Sequence, residues 1–215
     1  MDKIRIRYSK TGKAKYISHL DTMATMQRSL LRCGVRLKYS EGFNPHPYIS
    51  VALPLSVGNE SLCELMDVEL DSPVPADLND YLPDGLSILG FYKPLFKFNL
   101  IKWVSVECRI VYSDAIGDSE LDLLKERFSA KSLIISKKTK RGMSDINIAE
   151  FISDARITRS CCKSAEICAL ISAQQPTVSN NDMLNIASFD EHKLKPTQIN
   201  VKRIDIFDKD MVLFK

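Results

Sequence analysis

The sequence predicts an α+β protein made of two tandem βαββαβ halves, the ferredoxin-like unit, with antiparallel sheets and helices on one face. Three observations lead there. Apolar and charged residues alternate with period two at the start and again in the middle of the chain, the pattern of half-buried strands. Each of these stretches is followed by a segment with helical spacing. The order of elements over residues 1–95 then recurs over 96–215, although the two stretches share no sequence identity.

In the first half Ile4, Ile6 and Tyr8 alternate with Lys3, Arg5 and Arg7, which gives a strand with one apolar and one basic face. Lys10-Thr-Gly-Lys13 is a turn. Ser18 caps a helix, with Asp21 three residues on as a variant of the capping box. Leu20, Met23, Ala24, Leu30 and Leu31 form its apolar stripe, and Cys33-Gly34 ends it. Val35 to Tyr39 and Tyr48 to Leu53 read as short strands, and Ser61 to Leu70 as a longer one. Pro75 to Leu82 is a short helix and Leu86 to Tyr92 a strand. Pro94 to Leu100 is a hinge. In the second half Trp103 to Tyr112, Ser132 to Ser136, Lys163 to Ser172 and Arg203 to Phe214 are the strands. Asp118 to Phe128 and Asn181 to Ile186 are the helices, and a basic insertion near 137–162 fits neither copy.

At 215 residues, 45% hydrophobic and 27% charged, the chain has the composition of a folded globular protein with a sizeable core. No apolar run reaches the roughly 20 residues of a membrane span, and no apolar signal core follows the basic start, so a cytoplasmic location is expected. The six cysteines form no Cys-x-x-Cys pair, which argues against a zinc ribbon or an iron–sulfur site. The net charge of +3 conceals a polarity: residues 1–40 carry ten Lys or Arg against Asp2 and Asp21, and residues 41–92 carry nine acids and no Lys or Arg. One surface suited to phosphates and another suited to solvent or a basic partner follow from that split.

The most restricted stretch is Tyr39-Ser-Glu-Gly-Phe-Asn-Pro-His-Pro47. Pro45 and Pro47 fix their own φ and push Asn44 and His46 towards extended geometry, while Gly42 supplies a φ that other residues avoid. A stiff loop presenting the His46 imidazole is the consequence.

Together with Tyr16-Ile-Ser-His-Leu-Asp21, Gln27-Arg-Ser-Leu-Leu-Arg32 and Ala52-Leu-Pro-Leu-Ser-Val-Gly58, this loop resembles the radical-SAM-linked protein family, a bacterial domain found beside or fused to a radical SAM enzyme. The resemblance is specific over residues 1–95; beyond them a basic run leading to Asp145-Ile146 is compatible with it. It implies a radical SAM enzyme as partner and a role in RNA or ribosome biology. The chain lacks the Cys-x-x-x-Cys-x-x-Cys spacing of a radical SAM cluster, so it is not itself such an enzyme.

Three chemistries remain open. His19, Asp21 and His46 are candidate catalytic residues, as metal ligands with Glu41 or as acid–base groups. His19 and Asp21 diverge by about 200° on a regular helix, so the spacing does not require a shared ligand sphere. No cofactor or metal is assigned. The RAMP-type CRISPR endoribonucleases resemble paired ferredoxin-like units that use a histidine. Their glycine-rich loop has no counterpart here, where the second half has only Gly117 and Gly142. Phosphate and base recognition is the third. Arg5, Arg7, Arg28, Arg32, Lys138 and Arg141 would contact phosphates, Phe43, Tyr48 and Tyr8 would stack on bases, and Asn44 and His46 would touch the substrate. Vicinal Cys161-Cys162 lacks an evident partner. The reading favoured by the sequence is a non-catalytic RNA-binding or substrate-presenting accessory of a radical SAM enzyme in RNA modification or ribosome maturation. A histidine-dependent ribonuclease or hydrolase, and a protein–protein scaffold, are the alternatives.

Overall fold

The computed structural model describes residues 2–74, 77–139, 142–174, 176–189 and 195–215; for residues 2, 138, 139 and 143 it describes the backbone only. It is a mixed α+β protein dominated by antiparallel strand pairs, with three α-helices among the described residues. The chain divides into two compact units, Met1–Leu100 with Leu213–Lys215, and Ile101–Val212.

The first unit contains β1 (Asp2–Lys10), α1 (His19–Arg32), β2 (Ile49–Val51), β3 (Glu60–Leu70) and β4 (Leu86–Tyr92). β1 lies between β3 and β4, and β2 pairs with β3 as well. The alternation read in β1 is observed: Ile6 and Tyr8 are buried in one core with Met26 and Leu30 of α1, Met66 and Val68 of β3, and Leu86 and Ile88 of β4. Full burial of each aliphatic side chain contributes about 1.5–3 kcal/mol, so this face of β1 anchors the unit. The cap of α1 also forms as read. Ser18 Oγ accepts from Asp21 N at 3.1 Å and donates to Asp21 Oδ2 at 2.7 Å.

Two expected elements shrink. The segment 35–39 is held by isolated bridges, Leu37 to Leu70 and Tyr39 to Pro47, rather than by a strand of its own. The short helix read from Pro75 is a 3-10 turn, Leu78–Tyr81, and Pro75 lies outside the described residues. Asn79 fastens this turn to β4, donating to Ile88 O and accepting from Ile88 N. The tight turn into β4 is made by Gly85, whose φ is +89° and whose absent Cβ would sit 2.3 Å from Thr11 O.

The second unit contains β5 (Trp103–Tyr112), α2 (Asp118–Phe128), β6 (Ile134–Thr139), β7 (Gly142–Asn147), β8 (Ile152–Cys161), β9 (Ser164–Ser172), α3 (Asn180–Ile186) and β10 (Pro196–Phe207). Its sheet runs β10-β5-β9-β8, and β6 with β7 forms a separate hairpin. Val104, Val106, Cys108 and Ile110 are buried as the alternation required, with Leu124 of α2 and Met183 of α3. The expected strand at Ser132–Ser136 belongs to the hairpin, and the sheet's edge is β8, inside the stretch that fitted neither copy. β8 hides its period because its register slips twice against β9, between Ser153 and Arg156 and between Arg159 and Cys161. Asp154 adds a positive φ of 50°. Bulges and charges of this kind protect a sheet edge while erasing the strand signal.

Candidate functional site

The stiff loop is a hairpin projecting from the edge of β3. Lys38 N donates to Glu69 O, Glu69 N to Tyr48 O, and Tyr48 N to Lys38 O, so the stem is hydrogen-bonded beside the end of β3. At the tip Ser40 binds His46 twice: Ser40 N donates to His46 O at 2.8 Å, and Ser40 Oγ accepts from His46 N at 3.0 Å. Gly42 has φ +121°, a geometry its neighbours avoid. Glu41, Phe43, Asn44 and His46 are all exposed, and Phe43 meets solvent over its whole ring (111%). Tyr48 and Tyr39 are exposed at the stem, and Lys38 Nζ lies 5.4 Å from the Tyr48 ring centroid. Three aromatic rings, an imidazole and the cations Arg36 and Lys38 therefore share one short hairpin.

The two histidines are far apart. Gly58 N donates to Lys15 O and Lys15 Nζ pairs with Glu60 at 3.4 Å, which puts the start of α1 beside the start of β3. The His46 hairpin is fastened at Glu69. Nine residue steps along β3, from Glu60 to Glu69, separate the two attachments, roughly 30 Å at about 3.3 Å per residue. His19, Asp21 and His46 thus do not assemble into one centre, and Asp21 is engaged in its own helix cap. No group of three potential metal ligands occurs among the described residues.

Arg5 also departs from expectation. It has no solvent exposure and forks onto Asp67, Nε to Oδ1 at 2.6 Å and Nη2 to Oδ2 at 3.0 Å. Its remaining donors reach Phe96 O and Lys215 O, and its guanidinium lies over Phe98 and Phe214. The basic face of β1 is covered at this point, so Arg5 is a core cation and contacts no external phosphate. Arg7 is half-buried on the same face, opposite Leu65. Tyr8, the third possible base-stacking ring, is core.

Arg28 and Arg32 are exposed on the flank of α1 that faces the 3-10 turn. They line a cleft of about 550 Å³ with Thr25, Ser29, Asp80, Tyr81, Leu82 and Pro83. The turn sits beside β4 and the His46 hairpin leaves from the opposite edge of the unit, so these arginines and the imidazole occupy two separate surfaces. In the second unit Arg141 and the Lys138 side chain lie outside the described residues. Their neighbour Lys137 is tied down: its ammonium donates to Thr177 O and pairs at 2.6 Å with Asp182.

Three groups take on roles that no local sequence pattern signals. Asp67 is the first, recognisable only once β3 is registered against β1, where it stands opposite Arg5. Lys10 is the second: it is buried, donates to Ile17 O at 2.7 Å, and burial pulls its ammonium below the ordinary value against the opposing pull of Glu64. Cys161 is the third. Its sulfur lies 3.0 Å from Ser164 Oγ and 4.0 Å from Arg109, and hydrogen bonds from Ser164, from the Lys163 backbone and from Arg109 lower the thiol to about 7. Cys108, by contrast, is pushed up to about 12 by burial.

An α+β scaffold carrying a rigid aromatic and cationic hairpin is the class these features define. The chain belongs to the family described as "Uncharacterized protein conserved in bacteria (DUF2344)", whose model matches residues 3–180. No curated protein matches the sequence. Among solved structures, a chain of the "Crystal Structure of a Cbf5-Nop10-Gar1 Complex" is similar at 10% identity and a TM-score of 0.56, over 96% of this chain and 50% of that one. A chain of the "Crystal structure of the archaeal box H/ACA sRNP Nop10-Cbf5 complex" is similar at 8% identity and a TM-score of 0.53, over 94% of this chain and 46% of that one. The protein spans about half the length of these chains, and the likeness is one of fold. No helix among the described residues is long and apolar enough to cross a membrane.

Proposed function

We propose that the protein is a non-catalytic RNA-binding or substrate-presenting accessory that works with a radical SAM enzyme in RNA modification or ribosome maturation, in the cytoplasm. The observation that carries the RNA part is the hairpin of residues 36–48. Single-stranded RNA is held by aromatic faces that stack on bases and by cations that follow the backbone, and Phe43, Tyr48, Tyr39, Arg36 and Lys38 supply both within one element. The prolines and the Ser40–His46 hydrogen bonds order the loop before any ligand arrives, which removes part of the entropy cost of binding. The kinship of fold with a chain of an archaeal box H/ACA sRNP complex adds support. The radical SAM partner rests on the sequence resemblance alone.

We further read the two units as degenerate ferredoxin-like halves. In each, the first strand lies between the third and the fourth, and the second strand pairs with the third. The second helix of the first half is reduced to a 3-10 turn, and the second half carries the β6–β7 hairpin as an insertion.

Binding to bulk bacterial RNA, followed by fluorescence anisotropy across a salt series, tests the proposal. Each phosphate that a protein cation neutralises steepens the log–log salt slope by about 0.7 for single strands. Phe43→Ala should weaken binding by about 5-fold or more, since stacking on one base is worth about 1–3 kcal/mol. Absence of binding at low salt, or an unchanged affinity in Phe43→Ala and Tyr48→Ala together, overturns the RNA reading. The ribonuclease alternative needs His19 and His46 at one centre, and their separation along β3 disfavours it.

A further inference from the structure

We infer that the cleft between α1 and the 3-10 turn receives a nucleoside 5′-monophosphate, presented as the 5′ end of an RNA chain; the RNA source rests on the function proposed above. Arg28 and Arg32 stand one helical turn apart on one wall, which Thr25 and Ser29 of the same helix complete. Neither guanidinium has an ion pair or hydrogen bond among the described residues. Like charges at this spacing repel, a cost that a shared anion turns into a gain. The helix dipole favours a cation in the last turn, which accounts for Arg32 by itself. It does not account for a second arginine one turn earlier on the same wall, nor for both flanking a cavity.

The opposite wall specifies the rest of the ligand. Tyr81 offers a partly exposed ring on which a base can stack, Leu82 and Pro83 continue the apolar surface, and Asp80 is an exposed carboxylate that accepts from a ribose hydroxyl or an exocyclic amine. The cavity of about 550 Å³ falls within the usual range for small-molecule sites, roughly 300–1,000 Å³. Charge selects the phosphate type. A phosphodiester inside a chain carries one negative charge, whereas a terminal phosphomonoester carries close to two at neutral pH, with a second pKa of about 6. Two unpaired guanidiniums, each a planar fork of donors, match the dianion. The 3-10 turn is fixed to β4 through Asn79 and to α1 through Ser29 Oγ, which donates to Tyr81 O at 2.8 Å, so both walls are set before binding.

The experiment compares a short RNA bearing a 5′-phosphate with the same RNA bearing a 5′-hydroxyl, and AMP with adenosine. The proteins are the natural chain, the Arg28→Gln/Arg32→Gln double variant and Tyr81→Ala; the two arginines are exposed, so circular dichroism should be unchanged in the double variant. The expected result is a preference of at least about 5-fold for the 5′-phosphorylated RNA and for AMP. It should grow as pH rises through about 6, where the dianion forms, and vanish in the double variant while Phe43→Ala leaves the ratio intact. RNA binding without a 5′-phosphate preference overturns the inference and leaves the RNA reading standing. Binding of AMP through Arg28 and Arg32 with no RNA binding removes the RNA reading and keeps the cleft as a nucleotide site. Binding of neither removes both.

Discussion

Replacing Arg5 should damage the fold, not the interface. Arg5→Met removes both bonds to Asp67 and those to Phe96 O and Lys215 O, and it strands a carboxylate that is 4% exposed. Removing one member of a buried pair costs about 3–5 kcal/mol. Lys3 Nζ remains 3.3 Å from Asp67 Oδ2, but it is half-exposed and screened, so it recovers only about 1 kcal/mol or less. The net loss is therefore about 3 kcal/mol, which at a urea slope of about 2 kcal/mol per molar lowers the unfolding midpoint by about 1.5 M. In the double variant Arg5→Met/Asp67→Leu no charge is stranded, and most of the stability should return. Urea unfolding followed by circular dichroism measures all three proteins. A midpoint shift under about 0.5 M for Arg5→Met, or a double variant no better than the single one, refutes the assignment of Arg5 to the core. RNA affinity per folded molecule should be the same in the natural chain and the double variant.

Three further outcomes follow from the geometry. Cys161 should react with iodoacetamide at a rate that rises with pH about a midpoint near 7, faster than its neighbour Cys162, and Ser164→Ala should move that midpoint upward; peptide mass mapping reads each site. Gly85→Ala should destabilise by more than about 1 kcal/mol, because it forces a side chain into positive φ and onto Thr11 O, and a thermal melt unchanged from the natural chain would contradict this. Burial alone would raise the Asp182 carboxyl, but hydrogen bonds from Lys137 and Ser179 outweigh it and hold the carboxyl below its ordinary value. Its folded pKa being the lower one, Asp182 adds stability at pH values above its unfolded pKa, and that stability drains away as pH falls through the folded pKa. Asp182→Asn should therefore flatten the acid limb of a stability-against-pH curve.

Much of the element plan was legible locally. β4, β5 and α2 fall where the pattern put them, because each combines a clean period with an ordinary start and stop. The Ser18–Asp21 cap was legible for the same reason, since both partners lie within one turn. β8 was not, because bulges and an edge position break its alternation. The hairpin of residues 36–48 was recognisable as a rigid loop from its prolines and glycine, and its exposure of Phe43 agrees with that reading. Its isolation from His19 was invisible, because the distance is set by the length and register of β3. Cys161 looked partnerless in sequence; Arg109, its cation, comes from β5, which is 52 residues away.

The amino-acid order alone settled where the chain extends, where it coils and how α1 begins, since those choices depend on steric limits and hydrogen bonds between near neighbours. Only the folded molecule decided which charges meet water. Arg5 and Arg28 are indistinguishable as residues, yet one is enclosed by Asp67, Phe96, Phe98 and Phe214 and the other borders an open cleft. That difference arises because burial is imposed by segments distant in sequence, and no local pattern records which of them will cover a given face.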